Sequence, residues 1–272
     1  MHRLPNPPES RFSGWKVIFA GWIATLVATS SPHLSAQDLL QTPAEPRMTE
    51  VDGDLFPDLF VWRGTCNTYV LRDGPRALLI DIGNGEVARQ LAPLGIEQID
   101  WILFTSHHRE LCQGMELPEL SSRPVAASKT EQEILENPSA FRKWFPKLGD
   151  RYSVYGASYV RPSRKPIRVQ RSLNDGDSLK WRSWEIQCIA TPGNSPGGMT
   201  YLLRRGDKTL LVSGGLIHDG SKMTNWFDSE WDYGFGKGLD ALVASVKKLI
   251  THEADWLLPS QGPLIRDAQV QL

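Results

Sequence analysis

Cysteine is scarce: Cys66, Cys112 and Cys188 are the three in 272 residues. An odd number excludes complete pairing and leaves at least one thiol free even in an oxidising compartment. Cys66 precedes Asn67-Thr-Tyr-Val-Leu71 and Cys188 lies within Ile186-Gln-Cys-Ile-Ala190, so buried structural thiols are expected. A catalytic Cys112 would need a base to lower its pKa, and His107 and His108 are near it in sequence. An excess of one charge is also missing. Thirty basic residues oppose 31 acidic ones without long single-sign runs, which excludes an electrostatic footprint for nucleic acid or an anionic membrane surface. Long apolar runs are lacking too. The apolar core Val17–Ala28 falls short of the roughly 20 residues that a membrane-spanning helix needs. With 40% hydrophobic and 22% charged residues, disorder of the whole chain is excluded, and the length suits one large domain or two small ones.

That short apolar core has a distinct meaning at the N-terminus. His2, Arg3, Arg11 and Lys16 precede it, and small residues follow, with Ser30 or Ala36 as cleavage points. Positive start, short apolar core and small residues form an export signal. The expectation is a signal peptide over residues 1–36 and a periplasmic or extracellular protein. An uncleaved N-terminal anchor is the alternative, and no transmembrane domain is expected beyond this region. Residues 37–58, rich in proline and acid, read as a linker or irregular lead-in, and 59–272 as the folded domain.

Within that domain the patterns are those of a mixed α/β protein. Leu59–Arg63, Asn67–Asp73 and Arg76–Asp81, joined by Gly-Thr-Cys and Asp-Gly-Pro turns, predict an antiparallel meander. Gly85–Leu94 predicts an amphipathic helix ending near Gly95, and Trp101–Phe104 a buried strand. A short strand over Arg123–Ser128 leads into a helix over Lys129–Leu135 capped by Ser128 or Thr130. Residues 138–171 predict an irregular insert. Trp181–Ala190 fits two strands or one bent strand. Met199–Leu203 and Thr209–Val212 predict a hairpin about Arg205–Asp207, and a helix follows from about Lys237 to Ile250.

The most informative stretch is Thr105-Ser-His-His-Arg-Glu-Leu-Cys-Gln-Gly114, polar residues directly after the Trp101–Phe104 run. It resembles the metal-binding loop of the metallo-β-lactamase-fold hydrolases, Thr-His-x-His-x-Asp-His-x-x-Gly. Thr105, His108 and Gly114 match. Ser106 takes the place of the first His, Glu110 of the Asp and Leu111 of the next His. Three further segments carry the resemblance in the expected order. Thr191-Pro-Gly-Asn-Ser-Pro-Gly197 resembles Thr-Pro-Gly-His-Thr-Pro-Gly, with Asn194 at the His. Ser213-Gly-Gly-Leu216 resembles Thr-Gly-Asp-Leu, with Gly215 at the carboxylate shared by both metals. Leu258-Pro-Ser-Gln-Gly262 resembles the Pro-Gly-His-Gly segment, with Gln261 at the last His. Ile80-Asp-Ile-Gly83 matches the family's Ile-Asp-x-Gly turn, which puts Asp81 beneath the site. The resemblance covers residues 59–265 and implies an αββα four-layer sandwich.

In an intact site, two His spaced two apart and a third from another loop hold one zinc at about 2.0–2.1 Å. The remaining ligands hold a second ion about 3.5–4 Å away, and a bridging hydroxide attacks an ester, amide or phosphoester. Ser106, Leu111, Asn194, Gly215 and Gln261 do not replace the lost zinc ligands. His108 is retained, and Glu110 is a carboxylate of altered length. The resemblance therefore implies a pseudo-hydrolase without a cofactor, binding an unknown small molecule or protein partner in the old cleft. One alternative is a hydrolase with an atypical mononuclear or hard-cation site, using oxygens of Glu110, Asn194 and Gln261, with His218 nearby. Another makes Ser106, His108 and Glu110 a metal-free nucleophile, base and orienter. The plainest reading has these polar residues hydrogen-bonding one another and water in the vacated space. His2, His33, His107 and His252 read as solvated or capping. Trp226, Phe227, Trp231 and Tyr233 precede the last long helix and either line a cleft rim or pack on the core. A chain that stops soon after Gly262 also fits a fragment of a longer protein.

Overall fold

A computed structural model describes residues 47–143, 161–223 and 237–272. Its strands alternate two apolar faces. Tyr69 and Leu71 point one way with Leu78 and Ile80, while Val70, Ala77 and Leu79 point the other, and all are buried. A strand apolar on both faces must be covered on both, which forces a layered structure.

The first sheet has seven strands in sequence order: β1 (Met48–Glu50), β2 (Leu59–Arg63), β3 (Asn67–Asp73), β4 (Arg76–Ile80), β5 (Gln98–Leu103), β6 (Val125–Ser128) and β7 (Arg171–Leu173). The pairs from β1 to β4 are antiparallel and those from β4 to β7 parallel. Parallel neighbours need crossovers, and short helices supply them. They are α1 (Arg109–Cys112) and α2 (Pro118–Ser121) before β6, and α3 (Gln132–Glu136) after it. The second sheet has the order β12-β11-β10-β9-β8, from β8 (Ser178–Trp181), β9 (Trp184–Ala190), β10 (Met199–Arg205), β11 (Lys208–Gly214) and β12 (Trp256–Pro259). Only β11 and β12 are parallel there, and α4 (Lys237–Ile250) lies between them in the chain.

Three apolar layers separate four structural ones. The central layer joins the inner faces of both sheets, from Leu59, Tyr69 and Ile80 to Trp184, Tyr201 and Leu258. A second buries Val70, Leu79 and Ile102 under Val87, Cys112 and Leu135. The third buries Leu202, Leu211 and Leu257 under Leu249 and Ala268, with Leu242 and Val246 packed against it. This is the expected αββα sandwich. Each large side chain so buried contributes about 1.5–3 kcal/mol.

Several local expectations change. Part of the stretch expected as linker or lead-in belongs to the sheet: Met48–Glu50 pairs with β2, and Val51 and Phe56 join the central core. Gly85–Leu94 is not one helix but two 3-10 segments, Glu86–Gln90 and Ala92–Leu94. Pro93 lacks the N–H that a continuous helix requires. Trp181–Ala190 is two strands about a tight turn, with Arg182 at φ 56°. The helix expected over Lys129–Leu135 spans Gln132–Glu136 and has no side-chain cap, because Glu131 is drawn into the contact described below. All three cysteines are buried free thiols. Among the described residues no helix is long and apolar enough to cross a membrane.

Candidate functional site

Parallel strands end on the same side, so the segments after β4, β5, β11 and β12 gather at one rim, the usual place for sites in such sheets. Asp81, just past β4, is buried at φ 54°. Its carboxylate accepts the Thr105 backbone N–H at 2.9 Å and the Thr105 hydroxyl at 2.7 Å. Burial pushes the Asp81 carboxyl up to about 7, against those two hydrogen bonds, which favour the charged form. Thr105 in turn binds the sheets together, since its carbonyl accepts the Met199 N–H at 2.8 Å. A Cβ on Gly214 (φ 60°) would lie 2.5 Å from Thr105 Oγ1, so glycine there permits the close approach. Asp81 thus anchors the start of the loop that follows β5.

His108 lies immediately before α1 and is buried. Burial, and then the adjacent His107, hold its pKa well below the ordinary imidazole value, while a hydrogen bond with the Asn194 backbone opposes them. Its Nε2 is buried without a hydrogen-bond partner, as are the hydroxyls of Ser106 and Ser260. Ser106 and His108 are therefore not hydrogen-bonded to each other, and the nucleophile–base pair of a Ser106–His108–Glu110 triad is not formed. Glu110 is half-buried on α1, and its charge raises the Asp81 pKa further.

The other ligand positions are occupied in ways that do not suit zinc. Leu111 is a buried apolar side chain whose carbonyl accepts the N–H groups of Ile82 and Gly83. Gly215 has no side chain, and a Cβ there would lie 2.5 Å from Asn194 Nδ2 and 3.6 Å from Ser260 Oγ. The Asn194 amide thus fills the space where the shared carboxylate would begin. Gln261 turns aside, donating Nε2–H to the Thr65 carbonyl at 2.9 Å. His218 has its Nδ1 3.2 Å from the Gln261 carbonyl oxygen, and burial lowers its pKa. Among the described residues no group of three or more His, Cys, Asp and Glu side chains is placed to hold a metal ion. The donor set does not fit a dinuclear zinc centre. Of the polar replacements, Ser106 and His108 make no hydrogen bond to each other, and His108 and Gln261 turn to backbone atoms. A surface pocket of about 230 Å³ lies elsewhere, on β8–β10 beside Lys180, Glu185 and Arg204.

His107 departs most from expectation. It is fully buried rather than solvated. Its Nδ1 lies 3.1 Å from Glu131 Oε1, which also accepts the Ser195 hydroxyl and, at 3.3 Å, the Gly197 N–H. Ser195 Oγ is 3.5 Å from the same His107 nitrogen. A hydrolytic triad needs the hydroxyl and the carboxylate on opposite ring nitrogens. Here both meet Nδ1, and the arrangement is a buried network rather than a catalytic one. Glu131 and Ser195 escaped the sequence reading because they are 64 residues apart and no periodicity marks a buried carboxylate inside a helix-forming run. Trp226, Phe227, Trp231 and Tyr233, like His2, His33 and the export segment 1–36, lie outside the described residues.

Two sheets with helices on both outer faces and a rim of loops at the strand ends define an αββα sandwich. Comparison with solved structures specifies it further. A Cronobacter sakazakii metallo-beta-lactamase with a HARLDQ motif aligns at TM-score 0.58 and 19% identity, over 83% of this chain and 81% of its own. A metallo-beta-lactamase family protein of Thermus thermophilus aligns at 0.63 and 19%, over 80% and 77%. BJP-1, a subclass B3 metallo-beta-lactamase of Bradyrhizobium japonicum, aligns at 0.57 and 18%, over 79% and 85%. No family model matches the sequence. The chain has the metallo-β-lactamase fold.

Proposed function

We propose that this is an exported protein of metallo-β-lactamase fold that has lost the dinuclear zinc centre and hydrolysis with it, and that binds a small molecule or protein partner in the cleft at the strand ends. The observation that carries this reading is the packing of Asn194 against Gly215: the position of the bridging carboxylate has no side chain, and the amide of a lost His position stands in its space. Leu111, buried and apolar at another ligand position, supports it. Export rests on the N-terminal pattern of basic residues, Val17–Ala28 and small residues.

One observation favours a second reading, a hydrolase with an atypical mononuclear or hard-cation site. His108 spends one hydrogen bond on the Asn194 backbone and leaves Nε2 buried and open, the arrangement that orients a metal-bound imidazole. Glu110 is the nearest carboxylate in sequence. The two readings separate in an assay of the purified chain, incubated with excess zinc, calcium or magnesium, against ester, amide and phosphoester substrates. The pseudo-hydrolase reading expects no turnover above the metal-only control. Saturable, metal-dependent turnover abolished by His108→Ala would establish the second reading in its place.

A further inference from the structure

In a dinuclear hydrolase of this fold the ions also tie together loops from both halves of the molecule. The structure contains a tie of another kind between such loops. The loop after β5 carries His107, the turn before α3 carries Glu131, and the loop between β9 and β10 carries Ser195 and Gly197. The first two belong to the seven-stranded sheet and the third to the five-stranded one. Glu131 is 1% exposed and His107 0%, and a single carboxylate oxygen meets all three partners.

We propose that Glu131 is a positioning residue, a buried metal-independent staple that pins the loop 191–198 of one sheet to the loop 105–108 of the other and so fixes Asn194 against Gly215 and His108. Three further features support it. A Cβ on Gly197 would collide with the Glu131 side chain, so glycine at 197 is what lets the loop close on the carboxylate. The ring of His107 is held from another side by Phe141, centroids 5.4 Å apart. The same loop is pressed down from outside by α4, where the Ser245 hydroxyl donates to the Pro192 carbonyl at 2.6 Å. A buried carboxylate is costly unless its hydrogen bonds are made, and removing one partner leaves the others stranded. The three loops are therefore coupled through one side chain. The role as a replacement for metal rests on the pseudo-hydrolase reading; the coupling of the loops does not.

The test uses the full chain and the variants Glu131→Gln, which keeps the shape, Ser195→Ala and their double. Amide hydrogen exchange is followed in peptides covering 191–199 and 105–108, with 59–71 of β2 and β3 as the internal control. Each single variant is expected to speed exchange in the first two peptides at least about tenfold while 59–71 is unchanged, and the double to be no faster than the faster single. Additive effects in the double, or equal acceleration in 59–71, overturn the staple. Should Glu131→Gln fail to fold, Gly197→Ala takes its place with the same expected pattern. The wild type is also measured with and without a chelator. Unchanged exchange is expected; acceleration at 191–199 on chelation shows that a metal holds the loop and overturns the replacement role, whatever the variants show.

Discussion

The amide of Asn194 stands 2.5 Å from the point where a side chain on Gly215 would begin. The two positions, both ligands in the resembling family, have become one packing unit. Gly215 does not have a positive φ, so a larger residue there is opposed by space rather than by backbone conformation. Gly215→Ala forces the end of the Asn194 side chain aside and is expected to destabilise the fold by about 1 kcal/mol. In an Asn194→Ala background most of that cost should disappear. Denaturant unfolding of the four proteins of this cycle measures the coupling. Equal costs in both backgrounds would show that the amide does not fill the space.

Asp81 makes stability depend on pH in a definite direction. Its carboxyl is pushed up to about 7 in the fold from an ordinary 3.8. Below about pH 3 both states carry the proton and the contribution is fully present. As pH rises towards 7 the unfolded chain ionises first, so stability is lost through that window and levels off above it. His108, held low, acts the other way and loses stability as pH falls below its unfolded value. The Asp81 contribution is isolated by difference. Between pH 4 and 7.5 the wild type should lose stability relative to Asp81→Asn, by an amount on the order of a few kcal/mol. Asparagine also tolerates the positive φ at this position. Parallel curves for the two proteins would contradict the raised value.

Asp58 clamps the two sheets at a different place. It accepts from Arg72 on β3 at 3.1 Å and from Arg205 on β10 at 3.0 Å. Both pairs are about a third exposed, so screening limits their worth. Asp58→Asn is expected to cost about 1 kcal/mol, with a weaker salt dependence than the wild type. A melting series at low and high salt checks it, and a variant as stable and as salt-sensitive as the wild type would remove Asp58 from the account.

Much of this architecture was legible in the sequence, for physical reasons that particular elements show. Strands buried on both faces, such as Leu210–Val212, are continuous apolar runs, and turns such as Asp73-Gly-Pro75 mark their ends. The four motif segments locate the rim, because loop chemistry after a strand is local in sequence. Met48–Glu50 was hidden because three residues carry no period, and its pairing with β2 is a long-range fact. Gly85–Leu94 showed the right face but the wrong helix, since Pro93 interrupts the hydrogen bonds without disturbing the apolar spacing. His107 misled most. In a row of polar residues the exposed reading is natural, and only the fold brings Glu131 and Ser195 to it. The same limit applies to Asn194 and Gly215, whose substitutions are visible singly and whose complementarity is visible only in three dimensions.

The direct test of the central claim is the melting of purified protein, with its metal content determined, in the presence and absence of a strong chelator. A resident ion at a hundred times its dissociation constant adds about 2.7 kcal/mol of stability. For a domain of this size that is a shift of roughly 5–10 °C. The account predicts far less than one zinc per chain and superimposable melts. Two zinc ions per chain, with a melt that falls by several degrees on chelation, would contradict it.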